Sequence, residues 1–166
     1  MISREDFLQS LRQEADVCKH LFGKVTPDML DYRPTSNQRS LQELLLAITR
    51  MPVVSTRCLL AEDFSQAREQ IEKAYEKDVQ QFPALMDAMY AEMEQVINEI
   101  PEEDFLSRDI VLPSGQRMKV GAALINFPLK FFTAYRMQVF LYCKAAGLTE
   151  LDTYNCWFGM DNPRKS

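Results

Sequence analysis

The chain has 166 residues, a formal net charge of -5 and 46% hydrophobic against 26% charged residues, which suits one globular domain with a core of its own. The acidic balance disfavours a nucleic-acid or anionic-membrane partner, since neither rewards a negative surface. No apolar run approaches the roughly 20 residues of a membrane span. The first residues, Met1-Ile2-Ser3-Arg4-Glu5-Asp6, turn polar at once, so no signal peptide is read there and the cytoplasm is the default expectation.

Ser3 opens the first predicted helix as a cap, with Asp6 in the capping-box position. Phe7, Leu8, Leu11, Ala15, Cys18, Leu21 and Phe22 recur at helical spacing, and Gly23 closes the element. Gln13, Asp16, His20 and Lys24 fall on the opposite face, so His20, the only histidine, is expected at the surface. Thr26-Pro27-Asp28 reads as a short second helical start. Pro34 biases Arg33 away from helix and begins a polar loop through Gln38.

Ser40, or Asn37 before it, is the cap expected for the next helix, with Glu43 completing a capping box after Ser40. Leu41, Leu44, Leu45, Ile48 and Met51 form its inward side, and Pro52 is expected to kink it. Residues 64–82 are charged yet periodic. They read either as a helical excursion on the bundle surface or as a helix continuous with the next, with Pro83 at the boundary. A further helix over 84–100 turns Leu85, Met89, Met93, Val96, Ile97 and Ile100 inward, and Pro101-Glu102-Glu103-Asp104 ends it. Its methionines, Met86 among them, suit core filling or an adaptable surface.

Ile110-Val111-Leu112 and Met118-Lys119-Val120 flank Pro113-Ser114-Gly115-Gln116, which predicts a short hairpin. The last helix is expected from about Val120 to Ala146, kinked at Pro128 and stopped by Gly147. Its predicted inner face is Leu124, Phe127, Phe131, Tyr135, Gln138, Leu141, Tyr142 and Ala145. Residues 148–166 form a tail in which Tyr154, Cys156, Trp157 and Phe158 dock on the bundle and Asp161 to Ser166 fray. The fold class is therefore all-α, a single four-helix-bundle domain over 1–166 with a β-like hairpin before its last helix.

Cys18, Cys58, Cys143 and Cys156 are scattered and read as reduced, mostly buried thiols. The acidic clusters Glu102-Glu103-Asp104, Glu92-x-Glu94 and Glu76-Lys77-Asp78 read as solvated surface. No Glu-x-x-His motif, catalytic triad or phosphate-cradling glycine loop occurs.

Four long helices, Arg33-Pro34 and Ser40-x-x-Glu43-Leu44-Leu45 leading into the second, Leu112-Pro113-Ser114-Gly115 before the last, and Arg136-Met137-Gln138, Tyr142 and Gly147 within it resemble the DinB/YfiT-like family over most of the chain. That resemblance implies a three-histidine metal site, with one ligand on the second helix and two on the last, serving thiol transfer and related isomerisation. The corresponding positions here are Ala47, Phe131 and Tyr135, and Met137 replaces the glycine of an Arg-Gly-Gln. None of these supplies an imidazole, so no metal or cofactor is expected.

Phe131 and Tyr135 either plug the vacated space as core or leave a pocket lined by Ala47, Phe131, Tyr135, Arg136 and Gln138. The favoured expectation is a non-catalytic module that binds an unidentified small molecule or protein. The alternative is a metal-independent thiol transferase or isomerase-like enzyme using Tyr135 as acid and Arg136 as anion holder. A structural module that forms a homodimer through its helix faces is the third.

Overall fold

The computed structural model describes residues 3–165. Helix α1 (Arg4–Phe22) begins where Ser3 and Asp6 bond reciprocally, and α2 (Leu41–Ile48) begins at the same device built from Ser40 and Glu43. Each box satisfies amide donors that a helix start leaves without partners. The Ser40 amide donates to Glu43 Oε2 at 2.8 Å. Pro27–Met29 is a single 3-10 turn.

The helix expected to kink at Pro52 is broken outright just before it. α2 ends at Ile48, α3 spans Met51–Ala61, and the two are bent by 48°. Pro52 sits in the first turn of α3, where a missing N–H costs nothing. The excursion that follows is α4 (Ala67–Glu72) and two 3-10 turns, Lys73–Glu76 and Val79–Gln81. It is not continuous with α5 (Phe82–Asn98), whose first turn holds Pro83. Met86, Met89 and Met93 are all buried, so they fill core and form no exposed methionine surface.

Glu102-Glu103-Asp104 does not trail off a helix end. Pro101 caps a further short helix, α6 (Glu102–Ser107), and the acids occupy its first turn, where they complement the helix dipole. Strands β1 (Asp109–Val111) and β2 (Arg117–Lys119) pair antiparallel with Ile110 opposite Met118, one residue away from the expected bounds. The turn between them needs Gly115 at φ 81°, a conformation that a side chain resists.

The last helix departs most from expectation. It consists of α7 (Val120–Leu124), a π-helical turn over Ile125–Leu129 that contains Pro128, and α8 (Lys130–Ala145). Within the turn, the Lys130 amide reaches back to Ile125 O. A π turn inserts one residue into the helical count, so every position after it rotates by one residue. The inward residues are thus Phe132, Arg136, Val139, Tyr142 and Cys143. Phe131 is 42% exposed and Leu141 53% exposed, against the predicted face.

Helix α1 packs on α5 and α8, α2 packs on α8, and α3 packs on α5, enclosing one continuous core. No single helix among the described residues is long and apolar enough to cross a membrane, and the bent α2–α3 pair is largely buried.

The tail closes over α1. Leu151, Asn155 and Cys156 are buried, while Trp157 and Phe158 remain 53% and 60% exposed. Ser166, the last residue of the segment expected to fray, lies outside the described residues. Asp161 Oδ1 accepts from Lys24 Nζ at 2.6 Å and from Asn155 Nδ2 at 2.9 Å. Asp152 Oδ2 holds both Asn162 Nδ2 and Lys165 Nζ.

Candidate ligand site

Tyr135 and Gln138 project from α8 into a hollow of about 440 Å³. The opposite walls come from the polar loop before α2 and from the charged excursion, which supply Arg33, Arg39, Glu43, Arg68, Glu72 and Tyr75. Pro34 keeps Arg33 out of helix, and the chain then turns back through a bond from the Gln38 amide to Thr35 O before Ser40 restarts it as helix. The Leu41 and Gln42 amides donate to Tyr32 O and Leu30 O, which pins the loop's two ends together.

The charges in this hollow do not cancel. Arg33 pairs with Glu43 at 3.0 Å and Arg68 with Glu72 at 2.7 Å. Arg39 has no carboxylate within ion-pair distance among the described residues. Its Nε donates to the Tyr75 hydroxyl at 2.7 Å, and its guanidinium stands 5.9 Å from the Tyr135 ring centre. Burial works against the Arg39 charge, but the bond to Tyr75 and the electron-rich oxygens of Tyr75 and Tyr135 outweigh it, and the guanidinium pKa lies above its ordinary value. Burial pushes the Tyr142 phenol up as well, so its hydroxyl remains a donor at neutral pH. The hollow thus offers one uncompensated cation and several neutral hydroxyl and amide groups.

On its other side, Tyr135 borders an apolar groove of about 270 Å³ with Val54, Phe64, Ile71, Phe127 and Phe131. Phe127 meets Phe64 and Phe131 edge to face at 5.4 and 4.8 Å between ring centres. Arg39 and Arg68 line this groove too, so the polar hollow and the apolar groove share a rim.

Of the residues expected to line one pocket, Tyr135 and Gln138 face the hollow and Phe131 faces the groove. Ala47 is fully buried and lines neither. Arg136 is not with them. It is 1% exposed, and its Nε donates to Glu14 Oε2 of α1 at 2.5 Å. Its Nη1 donates to Cys156 O at 2.5 Å and lies 3.2 Å from Cys156 Sγ, and its guanidinium carbon lies 5.3 Å from the Trp157 ring centre. It ties the tail to the bundle and cannot hold an anion beside Tyr135. The π turn explains the swap, because one added residue sends Arg136 inward. Arg39, Arg68 and Tyr75 escape sequence reading because long stretches of chain separate them from α8.

His20 is on the expected face, but the tail covers it to 18% side-chain exposure. The Asn155 amide nitrogen lies 3.1 Å from His20 Nε2. Burial, and then Lys24, lowers the imidazole pKa, with Asp161 opposing, which favours the neutral ring. All four cysteines are free and buried. Burial pushes the Cys18, Cys58 and Cys156 thiols up and Cys143 up to about 12, so none is poised as a thiolate nucleophile.

A three-histidine metal site does not fit these residues. Ala47 and Phe131 carry no donor atom and Tyr135 offers one phenol oxygen. Among the described residues, no group of three or more His, Cys, Asp or Glu side chains is arranged to hold a metal ion.

A helical bundle with a two-stranded hairpin before a π-interrupted last helix defines the class, an all-α DinB-like fold. Among solved structures, the chain is similar to a DinB-like protein, YjoA, of Bacillus subtilis. It matches at a TM-score of 0.66 with 18% sequence identity, over 89% of this chain and 96% of that one. No protein-family model and no curated protein matches the chain.

Proposed function

We propose that this chain is a DinB-like bundle without the three-histidine metal site, acting as a non-catalytic module that binds a small organic anion in the hollow beside α8. The observation that carries this reading is Arg39, a half-buried cation held by Tyr75 and Tyr135 and left without a carboxylate in a hollow of about 440 Å³. That size is within the range of small-molecule sites, and a few convergent polar groups suffice to orient a ligand there. The enzyme reading loses its anion holder, because Arg136 is bonded to Glu14 and Cys156.

The test is ligand-observed NMR with a panel of small organic anions, acetate and benzoate included, against the purified protein and its Tyr135→Phe and Arg39→Gln variants. Binders are expected whose affinity drops at least tenfold in Arg39→Gln and is unaffected by chelators. A panel with no binder, or binding indifferent to both substitutions, overturns the reading.

Self-association is favoured by a separate observation. Trp157, Phe158 and Met160 are 53%, 60% and 46% exposed in one short stretch of the docked tail. A homodimer through that face would elute at twice the monomer mass and lose half of it on Trp157→Ser and Phe158→Ser substitution. A strict monomer at micromolar concentration contradicts it.

A further inference from the structure

The groove beside the hollow narrows what the ligand is. The apolar walls of Val54, Phe64, Ile71, Phe127 and Phe131 end at the rim where Arg39 and Tyr135 stand. Phe131 leaves 42% of its surface in water, and the aromatic edges of Phe127 and Phe64 continue its face. An apolar body lying in this groove brings its end to Arg39, which has no carboxylate partner among the described residues. Arg68, the other cation at that rim, is paired with Glu72.

Resting on the reading of the hollow as an anion site, we infer that the occupant is an amphipathic carboxylate, with its alkyl or aryl body along the Phe127–Phe131 groove and its carboxylate on Arg39. Charge complementarity selects the head group. A planar guanidinium prefers a carboxylate, which it can hold through two parallel bonds. The apolar lining selects the tail, and each methylene removed from water strengthens binding by about fourfold. The two preferences are separable because different side chains carry them.

Calorimetric titration with acetate, butanoate, hexanoate, octanoate and octanol tests this directly. Affinity is expected to climb with chain length by about fourfold per methylene, with octanol at least tenfold weaker than octanoate. Arg39→Gln should remove that tenfold difference by weakening octanoate and sparing octanol, and Arg39→Lys should retain part of it. Phe131→Ser, at a position 42% exposed, should flatten the chain-length dependence, with circular dichroism checking that the helices are retained. Octanoate and octanol binding alike, or a flat series, overturns the inference. If the series is flat but benzoate or acetate still depends on Arg39, the hollow remains an anion site and only the amphipathic occupant falls. If no carboxylate binds at millimolar concentration, both fall.

Discussion

Tyr135 and Arg136 are neighbours on one helix and live in opposite worlds. Tyr135 opens onto two solvent-accessible hollows, while Arg136 is sealed between α1 and the tail. Both are large polar side chains, so composition does not separate them. Helical phase does, and that phase is set upstream at the π turn around Pro128. The sealed side has a cation paired with a carboxylate, and the open side has one with no carboxylate partner among the described residues. The first pattern is architectural, and the second is what the proposed anion site rests on.

The largest way to break this contrast is to strip the sealed cation of its partner. Glu14→Ala leaves Arg136 buried with its charge uncompensated, and an unfolding free-energy loss of about 3 kcal/mol is expected by urea denaturation. A loss below about 1 kcal/mol would mean that Arg136 is not enclosed as described. Next, Asn155→Ala removes the amide that bonds to His20, Met160 O and Asp161. About 1–2 kcal/mol should be lost, with Trp157, the sole tryptophan, shifting its emission as the tail loosens. Tyr135→Phe is the opposite extreme. It should change stability by less than about 0.5 kcal/mol, because the phenol belongs to the open side.

Acid offers a finer probe. Bonds from Lys165 and then Asn162, with help from the Tyr154 amide against desolvation, hold the Asp152 carboxyl down to about 2. The folded value is depressed, so this anchor is intact above the ordinary Asp value of about 3.9 and is lost as pH falls through about 2. His20 acts earlier and in the same direction. Its lowered pKa means that protonation below the ordinary value of 6.5 weakens the docked tail. Trp157 emission should therefore change in two acid steps. Asp152→Asn should abolish the lower one.

The capping boxes at Ser3 and Ser40, the helical core stripes, the hairpin and the tail's attachment were legible in the sequence, because each depends on residues a few positions apart. The candidate site was legible only in part. Tyr135 and Gln138 line the hollow and Phe131 the groove, while Arg136, expected beside Tyr135, faces the core. Counting 3.6 residues per turn through Pro128 puts Phe131 inward and leaves the inward turn of Arg136 unseen. The fate of Arg136 rests on Glu14, 122 residues away, and that of His20 on Asn155, 135 residues away. Arg39 and Tyr75 meet only because the excursion after α3 folds back over the loop before α2. No local pattern encodes such meetings.

On the proposed reading, the open side of α8 is a ligand site organised by Arg39. Amide chemical-shift mapping of the labelled protein during titration with octanoate tests it most directly. Saturable shifts are expected, concentrated at Arg39, Tyr75, Phe131 and Tyr135, with Glu14, Arg136 and Cys156 unmoved. Shifts spread over the tail face, or none at all, would contradict it.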